Sequence, residues 1–539
     1  MNDEAALLAS IVAEADEDTP RLAYADWLDE HGDPDRAAFV RVQCRLADLS
    51  PAEPGWVSLI EQQDELVARL KSRRKLRVGE VADGFYFESA LTDDHEPPFH
   101  RGFPLFTNCQ IDGSEWTAGE TARAAAEVTR LVRTTTVRGV FFSDIPLGAL
   151  AELLAAPAVA ELTGFACFPH TDTRAGFARF YRRLAAAPAL RRVRHLALYA
   201  GGAPVPAAEL AGAKAFGSVR RLTIQDIGGT KAELEKLTRA AWFRRVHHFR
   251  CFLDKPLVAT PVVAGLGALP ELHTLDLPSF APRAVGALAA GEFPALARLM
   301  YGGPLVPQRA KQLAKAKFPA LAAFEAPHGM SKNDGLTELL DAPWFARLRV
   351  LDLASNGIGD KGVKALAAHP VSKALRILKL GDNVFGASGL AAIAREGAFP
   401  ELTTLNLGSY RKRKGTPTEL AAWLAALRFP RLYHLDLDGW PLGNDGAKAL
   451  AQNPALAGLT RLNLANCRIG DPGAKALFAS PHLRNLVGLQ LSYNAIKSGA
   501  DALADPAVLP RLGECGLSGN KITQKAGAKL ERTGLYLIT

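Results

Sequence analysis

Apolar positions in the second half of the chain follow one recurring spacing. In the stretch LRVLDLASNGIGDKGVKALA, leucines take the pattern L-x-x-L-x-L, an asparagine follows three positions later, and further apolar residues recur at helical spacing. This pattern predicts a short strand with one buried side, then a turn and a helix. The unit recurs after 27 residues from Leu348 to Leu375, and after 27 and 26 residues from Leu459 through Leu486 to Leu512.

A fixed period between about 20 and 50 residues is typical of solenoids, in which each unit buries its apolar side against its neighbours. The pattern predicts fifteen strands, with first apolar positions at Val137, Leu162, Val193, Val219, Val246, Leu272, Leu296, Leu321, Leu348, Leu375, Leu402, Leu432, Leu459, Leu486 and Leu512. Residues 106–111 carry a cruder version, which suits a capping unit. We therefore expect residues 105–539 to form one repeat domain, with an N-terminal cap and about 15 repeats.

The helical part of the unit also recurs, because Ile358 to Leu366 and Ile469 to Leu477 both read I-G-D-x-G-x-x-A-L. With the period and the strand pattern, this resembles the ribonuclease-inhibitor-like class of leucine-rich repeats. The resemblance implies an α/β solenoid, a curved horseshoe with a parallel sheet on the concave face and helices on the convex face. The residues themselves predict a ladder of turn asparagines that satisfies buried backbone amides. Glycines 362 and 473 predict a close approach of helix to strand layer.

The first 75 residues predict a small all-helical domain. Helices are expected over residues 3–16 and 20–31, with Thr19 as N-cap and Gly32 as terminator, and a third from Asp33-Pro34. The stretch from Asp18 to Gln43 resembles the planctomycetal repeat-companion domain, whose R-L-x-Y-A-D-W-L core stands here at residues 21–28. That resemblance implies no catalytic residues. Residues 76–104 read as a linker.

Four polar or aromatic residues of this head leave two interpretations open. Tyr24, Asp26, Trp27 and His31 could form a polar site. Alternatively, the two aromatic rings fill a small helical core while the aspartate caps or pairs locally.

Composition narrows the cellular setting and the chemistry. Six cysteines lie far apart without a C-x-x-C pair, which favours reduced, buried thiols and a cytoplasmic location. No run of about 18 apolar residues predicts a membrane span. The phosphate-binding, zinc-protease and nucleophile-elbow motifs are not found. We therefore predict a protein that is not an enzyme and needs no cofactor or metal.

Charge is divided unevenly along the chain. Residues 1–50 hold 4 Arg against 12 Asp and Glu, a net charge of −8. The chain as a whole carries +8, so the remaining residues carry +16. Part of this positive charge falls on the x positions of three successive strand patterns, which should face the concave side. We name these residues the basic belt: Arg194, His195, Arg220, Arg221, His247, His248 and Arg250. The belt predicts contact with an acidic surface, either that of a protein partner or residues 1–50 of the same chain.

A second candidate surface lies where two repeats depart from the pattern. Tyr410 takes the asparagine position and precedes a run of four cations, and Trp440 takes it one repeat later. These residues predict a contact patch on one rim of the solenoid: Tyr410, Arg411, Lys412, Arg413, Lys414 and Trp440. The alternative is a basic loop beside a buried tryptophan that fills the missing ladder position.

Histidines 195, 247, 248 and 273 fall on adjacent strands, where they could belong to a solvated binding surface or to a metal site. Together these features favour a non-enzymatic scaffold that binds a protein through the concave face or one rim. Two alternatives stay open. One is a GTPase-activator-like regulator of a nucleotide enzyme, which would need Arg411 or Arg413 to protrude. The other is a weakly specific nucleic-acid binder, which the sequence pI near 9.1 supports.

Overall fold

The computed structural model divides into two compact units. The first comprises Met1–Leu66, Arg77–Met300 and Ala316–Ala320, and the second comprises Val67–Leu76, Tyr301–Lys315 and Leu321–Thr539. The residues described are 3–14, 17–49, 55–72, 85–86, 99–100, 103–104, 106–109, 116–134, 138–170, 173–253, 255–410, 416–505, 507–522, 524–525, 530 and 536–538.

The amino-terminal residues form helices, as predicted. They are α1 (Asp3–Ala13), α2 (Thr19–Glu30), α3 (Pro34–Asp48) and α4 (Trp56–Ser72). The N-cap of α2 is Asp18 and not Thr19, because the helix starts one residue earlier than Pro20 suggested, and no side chain caps it. Gly32 follows α2 with φ of 80°, a left-handed conformation that lets the backbone turn into α3.

Tyr24 and Trp27 of α2 serve packing. Tyr24 is 7% exposed and belongs to a core with residues of α1 and α3, and Trp27 packs against that core. The Trp27 ring stacks on His31 with centroids 4.0 Å apart. Asp26 pairs with Arg41 of α3 at 2.6 Å. The polar-site interpretation of these residues is therefore less favoured than the packing one.

The rest of the first unit alternates strands and helices. Its strands are β1 (Phe85–Tyr86), β2 (Phe99–His100), β3 (Phe103–Pro104), β4 (Phe106–Cys109), β5 (Gly139–Pro146), β6 (Gly164–His170), β7 (His195–Leu198), β8 (Val205–Pro206), β9 (Arg221–Gly228), β10 (His248–Phe252), β11 (Thr274–Leu277) and β12 (Arg298–Tyr301). Its helices are α5 (Ala118–Thr134), α6 (Leu147–Ala155), α7 (Arg174–Ala186), α8 (Ala207–Ala211), α9 (Lys231–Thr238), α10 (Pro256–Leu266) and α11 (Val285–Ala290). Single 3-10 turns complete it at Pro157–Glu161, Pro188–Leu190, Phe243–Arg245 and Pro282–Ala284.

Strands of this unit pair in parallel in the order β4, β5, β6, β7, β9, β10 and β11. Side chains alternate across them: in β10, Phe249 and Cys251 are fully buried, whereas Arg250 is half-buried. Large rings fill the interior, since Phe243 lies 5.4 Å from Trp242 and 5.5 Å from Phe249 between ring centroids. Aromatic side chains therefore form part of the core of this unit.

The second unit is more regular. Its strands are β13 (Ala323–Glu325), β14 (Val350–Asp352), β15 (Ile377–Lys379), β16 (Thr404–Asn406), β17 (His434–Asp436), β18 (Arg461–Asn463), β19 (Gly488–Gln490), β20 (Glu514–Gly516) and β21 (Tyr536–Ile538). Its helices are α12 (Pro307–Leu313), α13 (Lys332–Leu340), α14 (Asp360–Ala368), α15 (Ala387–Ala394), α16 (Pro417–Ala426), α17 (Gly443–Gln452) and α18 (Asp471–Phe478). Further 3-10 segments lie at Phe345–Arg347, Pro370–Lys373, Pro454–Leu456 and Ser498–Ala504.

The strand register of the second unit follows the predicted pattern. Strands β13 to β21 pair in parallel with their sequence neighbours, and Leu351 lies opposite Leu378, which lies opposite Leu405. These leucines are fully buried. All fifteen predicted strands are present, each beginning two residues after its first apolar position. The α/β solenoid class is thus confirmed.

The predicted asparagine ladder runs through the second unit. Asn383 is 2% exposed. Its Nδ2 donates to the Leu353 carbonyl at 2.8 Å, and its Oδ1 accepts from the Asn356 and Ile358 amides at 3.0 and 2.9 Å. Asn494 makes the equivalent set of bonds. Each asparagine thus satisfies backbone groups of the preceding repeat, which are buried away from water and need a hydrogen-bond partner.

A second ladder, not foreseen from the sequence, joins the helix amino termini of the second unit. Asn333 Oδ1 accepts from the amides of Gly359 and Gly362 at 2.9 and 3.0 Å, and Asp360 and Asn444 do the same for the following repeats. A Cβ on Gly362 would lie 2.6 Å from this Oδ1. A side chain at position 362 would therefore clash both with the capping Asn333 of the neighbouring repeat and with Ile358 of its own repeat.

Candidate functional site

The belt residues lie on and immediately before three strands of the first unit. His195, Arg221 and His248 are direct register partners on β7, β9 and β10. Arg194, Arg220 and His247 stand just ahead of those strands, and backbone bonds tie them together. The Arg220 amide donates to the Arg194 carbonyl at 2.9 Å, and the His247 amide donates to the Arg220 carbonyl at 2.7 Å. Neighbouring repeats therefore hold these side chains in two adjacent columns.

Exposure differs across the belt. Arg194 is exposed; His195, Arg220, Arg221, His247 and Arg250 are half-buried; His248 is buried. Arg220 donates from Nη1 to the Val219 carbonyl at 3.0 Å. The imidazole Nε2 of His247 lies 3.0 Å from a carboxylate oxygen of Glu271. Arg194 is consequently the most accessible residue of the belt.

A carboxylate on the strand next to the belt was not predicted from the sequence. Asp276 on β11 is fully buried and lies directly opposite Arg250 in the sheet register. His248 Nε2 lies 3.1 Å from its Oδ2. Burial acts to raise the pKa of Asp276, but the charges of Arg298, His248 and Arg250 outweigh it and hold that pKa below its usual range.

Arg250 and Arg298 are the cationic partners of this carboxylate. Arg298 is 5% exposed. Burial lowers the pKa of Arg250; Asp276 opposes that effect, and the charge of Arg298 adds to it. Aligning the repeats would have found the pairing, because Arg250 and Asp276 occupy the same position in consecutive L-x-x-L-x-L units. The carboxylate neutralises part of the predicted belt, so Arg250 belongs to an internal charge cluster.

The rim prediction is corrected at one residue. Trp440 is fully buried, and its Nε1 donates to the Leu407 carbonyl at 2.8 Å, where an asparagine would otherwise bond. The prediction that it forms part of an exposed patch is wrong, because the indole fills the ladder position. Tyr410 is 91% exposed, and its amide donates to Asp382 Oδ1 at 3.0 Å. Arg411, Lys412, Arg413 and Lys414 lie outside the described residues.

Other exposed apolar side chains of the second unit escaped sequence analysis. Met330, Val384 and Tyr493 are 64%, 59% and 63% exposed. They follow the strand cores by a few residues, where the pattern shows only turn positions. Nothing in the L-x-x-L-x-L pattern specifies these side chains, so they could be found only by reading turn positions across repeats.

The histidines do not converge on a ligand set. The rings of His247 and His273 lie 5.4 Å apart, while His248 pairs with Asp276. Within the described part of the chain, no group of three or more His, Cys, Asp or Glu side chains is placed to hold a metal ion. Five cysteines there, at positions 44, 167, 251, 467 and 515, are free and buried. No described helix is both long and apolar enough to cross a bilayer.

A comparison with family models supports the repeat assignment. Residues 348–367, 371–394 and 459–478 match the family model described as Leucine Rich repeat. The search of curated proteins found no match. The chain is similar to one in the crystal structure of the Rad7 and Elc1 complex in yeast, with 14% identity, a TM-score of 0.40, and coverage of 95% of this chain and 94% of that chain.

It is also similar to an LRR protein of Leptospira interrogans, with 13% identity, a TM-score of 0.34, and coverage of 79% of this chain and 93% of that chain. The resemblance of residues 18–43 to the repeat-companion domain stays a prediction. The matched stretches carry leucine-rich repeats, and the strand and helix units around them form an α/β solenoid.

Proposed function

We propose that this protein is a non-enzymatic scaffold that binds an acidic surface of a protein partner through the belt. Solenoids of this kind present rigid, preorganised surfaces, and their function lies in the side chains placed there. The buried free thiols suit the cytoplasm, which we propose as its location.

One observation carries the proposal. Arg194, Arg220 and Arg221 stand on adjacent repeats whose backbones are joined by short hydrogen bonds. Strand spacing of about 4.8 Å keeps such side chains in columns, so their potentials add. Arg250 contributes less, because its charge is shared with Asp276.

The acidic amino terminus is a second possible occupant of the belt. Residues 1–50 carry a balance of −8. Part of that charge is already used, since Arg41 pairs with both Asp26 and Asp29 at 2.6 Å. We propose an external acidic protein as the main partner, with residues 1–50 as a competitor for the same arginines.

Affinity purification with crosslinking, followed by mapping of the crosslinked repeats, tests the proposal. We expect partner crosslinks to concentrate at residues 190–250. The variant Arg194→Glu, Arg220→Glu, Arg221→Glu should lose capture. Arg250 is left intact, because a glutamate there would face buried Asp276 and destabilise the sheet. Capture unaffected by the triple variant would contradict the proposal and direct attention to Tyr410.

A matched control carries the same charge change away from the belt. Lys236, Arg244 and Arg245 are exposed residues of the same unit that lie outside the strands. Their triple replacement by Glu should leave capture within about twofold, because these side chains do not belong to the belt. Loss in both variants would indicate a response to net charge alone, as expected of a weakly specific nucleic-acid binder.

A further inference from the structure

A groove on the helical side of the first unit is separate from the belt. Its volume is about 670 Å³, and it lies between α6 and α7. The α6 wall presents Leu147, Ala151 and Leu154, and the α7 wall presents Arg179, Arg182 and Arg183. One side of the groove is thus apolar and the other basic, and no acidic residue lines it.

Residue size and spacing explain why the groove stays open. Leu147, Ala151 and Leu154 are spaced at i, i+4 and i+7, so they form one stripe along α6. Ala155 and Ala186 also line the groove, and their methyl groups are too short to close the space between the two helices. Leu147 and Leu154 remain half-buried, which leaves apolar surface open to water.

The basic wall is arranged with equal regularity. Arg179, Arg182 and Arg183 are exposed and share one face of α7 at i, i+3 and i+4. Arg182 is fixed by Glu209, whose carboxylate oxygens accept from Nε and Nη2 at 2.8 and 2.6 Å. Arg179 and Arg183 make no ion pair or hydrogen bond with any residue that the structure describes. Two cations beside an apolar stripe are therefore available to a ligand.

We propose that this groove binds an amphipathic helix of a protein partner whose apolar stripe is flanked by carboxylates. The α6 stripe spans seven residues, or about 10 Å at the helical rise, which matches two turns of a partner helix. Leucines of the partner cover the α6 stripe, and its glutamates meet Arg179 and Arg183, as in helix-in-groove recognition. Charge complementarity selects an acidic helix, because the groove wall contains three arginines and no acid.

The test uses the full chain and a fluorescent probe. The probe is an 18-residue helix-forming peptide with leucines at i, i+4 and i+7 and glutamates along one flank. Its control carries lysines in place of the glutamates. Fluorescence anisotropy should show saturable binding of the acidic peptide and binding at least about tenfold weaker for the lysine peptide, because reversed charges repel the arginine wall.

Variants of the two walls locate the site. Arg179→Glu with Arg183→Glu should weaken the acidic peptide by about tenfold or more, and Ala151→Trp, which fills the apolar side, should do so independently. The matched control, Arg174→Glu with Arg191→Glu, changes exposed residues outside the groove and should stay within about twofold. Circular dichroism confirms that each variant is folded.

Three outcomes would overturn the proposal: no saturable binding up to millimolar peptide, equal affinity for the acidic and lysine peptides, or equal weakening by the groove variants and their control. The triple belt variant should retain peptide binding. If only the belt variant abolished binding, the peptide would be reporting on the belt, and the groove would be rejected while the proposed function stood.

Discussion

The two compact units of this protein achieve the same strand pattern with different side chains. In the second unit, buried asparagines such as Asn383 and Asn494 bond to the preceding repeat. In the first unit, aromatic contacts such as Phe216 to Trp242, with ring centroids 5.3 Å apart, fill the interior. The Trp242 Nε1 donates to the Leu210 carbonyl at 3.1 Å, so an indole serves a backbone group there too.

A repeat of this protein can lose its turn asparagine and still keep its leucine-rich strand. A leucine-rich strand is common to both units, whereas the polar ladder is replaceable by any side chain that donates to the same carbonyl. Trp440 and Cys467 demonstrate this inside the second unit, since Nε1 of one and Sγ of the other contact the carbonyls of Leu407 and Leu437. All three family-model matches fall in the second unit, where the asparagines are most complete.

The largest expected effect comes from the strand layer that both units share. Leu378→Ala should lower the free energy of unfolding by about 2 to 5 kcal/mol, because it leaves a cavity in a fully buried column. Leu222→Ala, at the equivalent position of the first unit, should cost a similar amount. Urea denaturation measures both. A loss below about 0.5 kcal/mol at Leu378 would mean that its side chain is not in the core.

The asparagine ladder should stabilise the second unit. Asn383→Ala removes bonds to three carbonyls and two amides at a buried position, and we expect a cost of about 2 to 3 kcal/mol. Asn485→Ala is the control, because Asn485 is exposed and makes two bonds, donating to the Ala457 carbonyl and accepting from Arg511. It should cost less than about 1 kcal/mol. Equal costs at the two sites would show that the ladder does not stabilise the second unit.

Acid should affect the second unit through His434. Burial, with the nearby charges of Arg461 and Lys379, lowers the pKa of His434 to about 3. In the unfolded chain His434 is protonated below about pH 6.5, whereas in the folded chain it stays neutral until a much lower pH. The free energy of unfolding therefore falls as the pH drops below about 6.5. The expected loss between pH 7 and pH 5 is about 2 kcal/mol. His434→Gln should remove this dependence, as measured by urea denaturation at both pH values; an unchanged slope would contradict it.

The first unit should respond to acid in a lower window. The pKa of Asp276 is depressed in the folded chain, so its ion-pair stabilisation is present above the unfolded value of about 3.9 and is lost as pH falls below it. The stability difference between the wild type and Asp276→Asn should therefore be constant from pH 7 to 5 and shrink below about pH 4. A difference that instead changed between pH 7 and 5 would contradict a depressed pKa of Asp276.

The sequence predicted what periodicity controls. Every predicted strand was found because leucine spacing reports directly on the buried side of a strand. The alternative of a buried tryptophan was visible at Trp440, but choosing it required knowing that its Nε1 reaches the Leu407 carbonyl. The cluster at Asp276 and the helix-capping role of Asn333 were missed, because both depend on which residues of adjacent repeats face each other.

We propose that Arg194, Arg220 and Arg221 bind acidic surfaces. Their binding is measured by the anisotropy of fluorescent poly-L-glutamate titrated with the full chain at several salt concentrations. We expect the triple Glu variant of these arginines to weaken binding by about tenfold or more and to flatten its salt dependence, while the Lys236, Arg244 and Arg245 variant stays within about twofold of wild type. Equal affinities and equal salt slopes for the two variants would contradict this proposal.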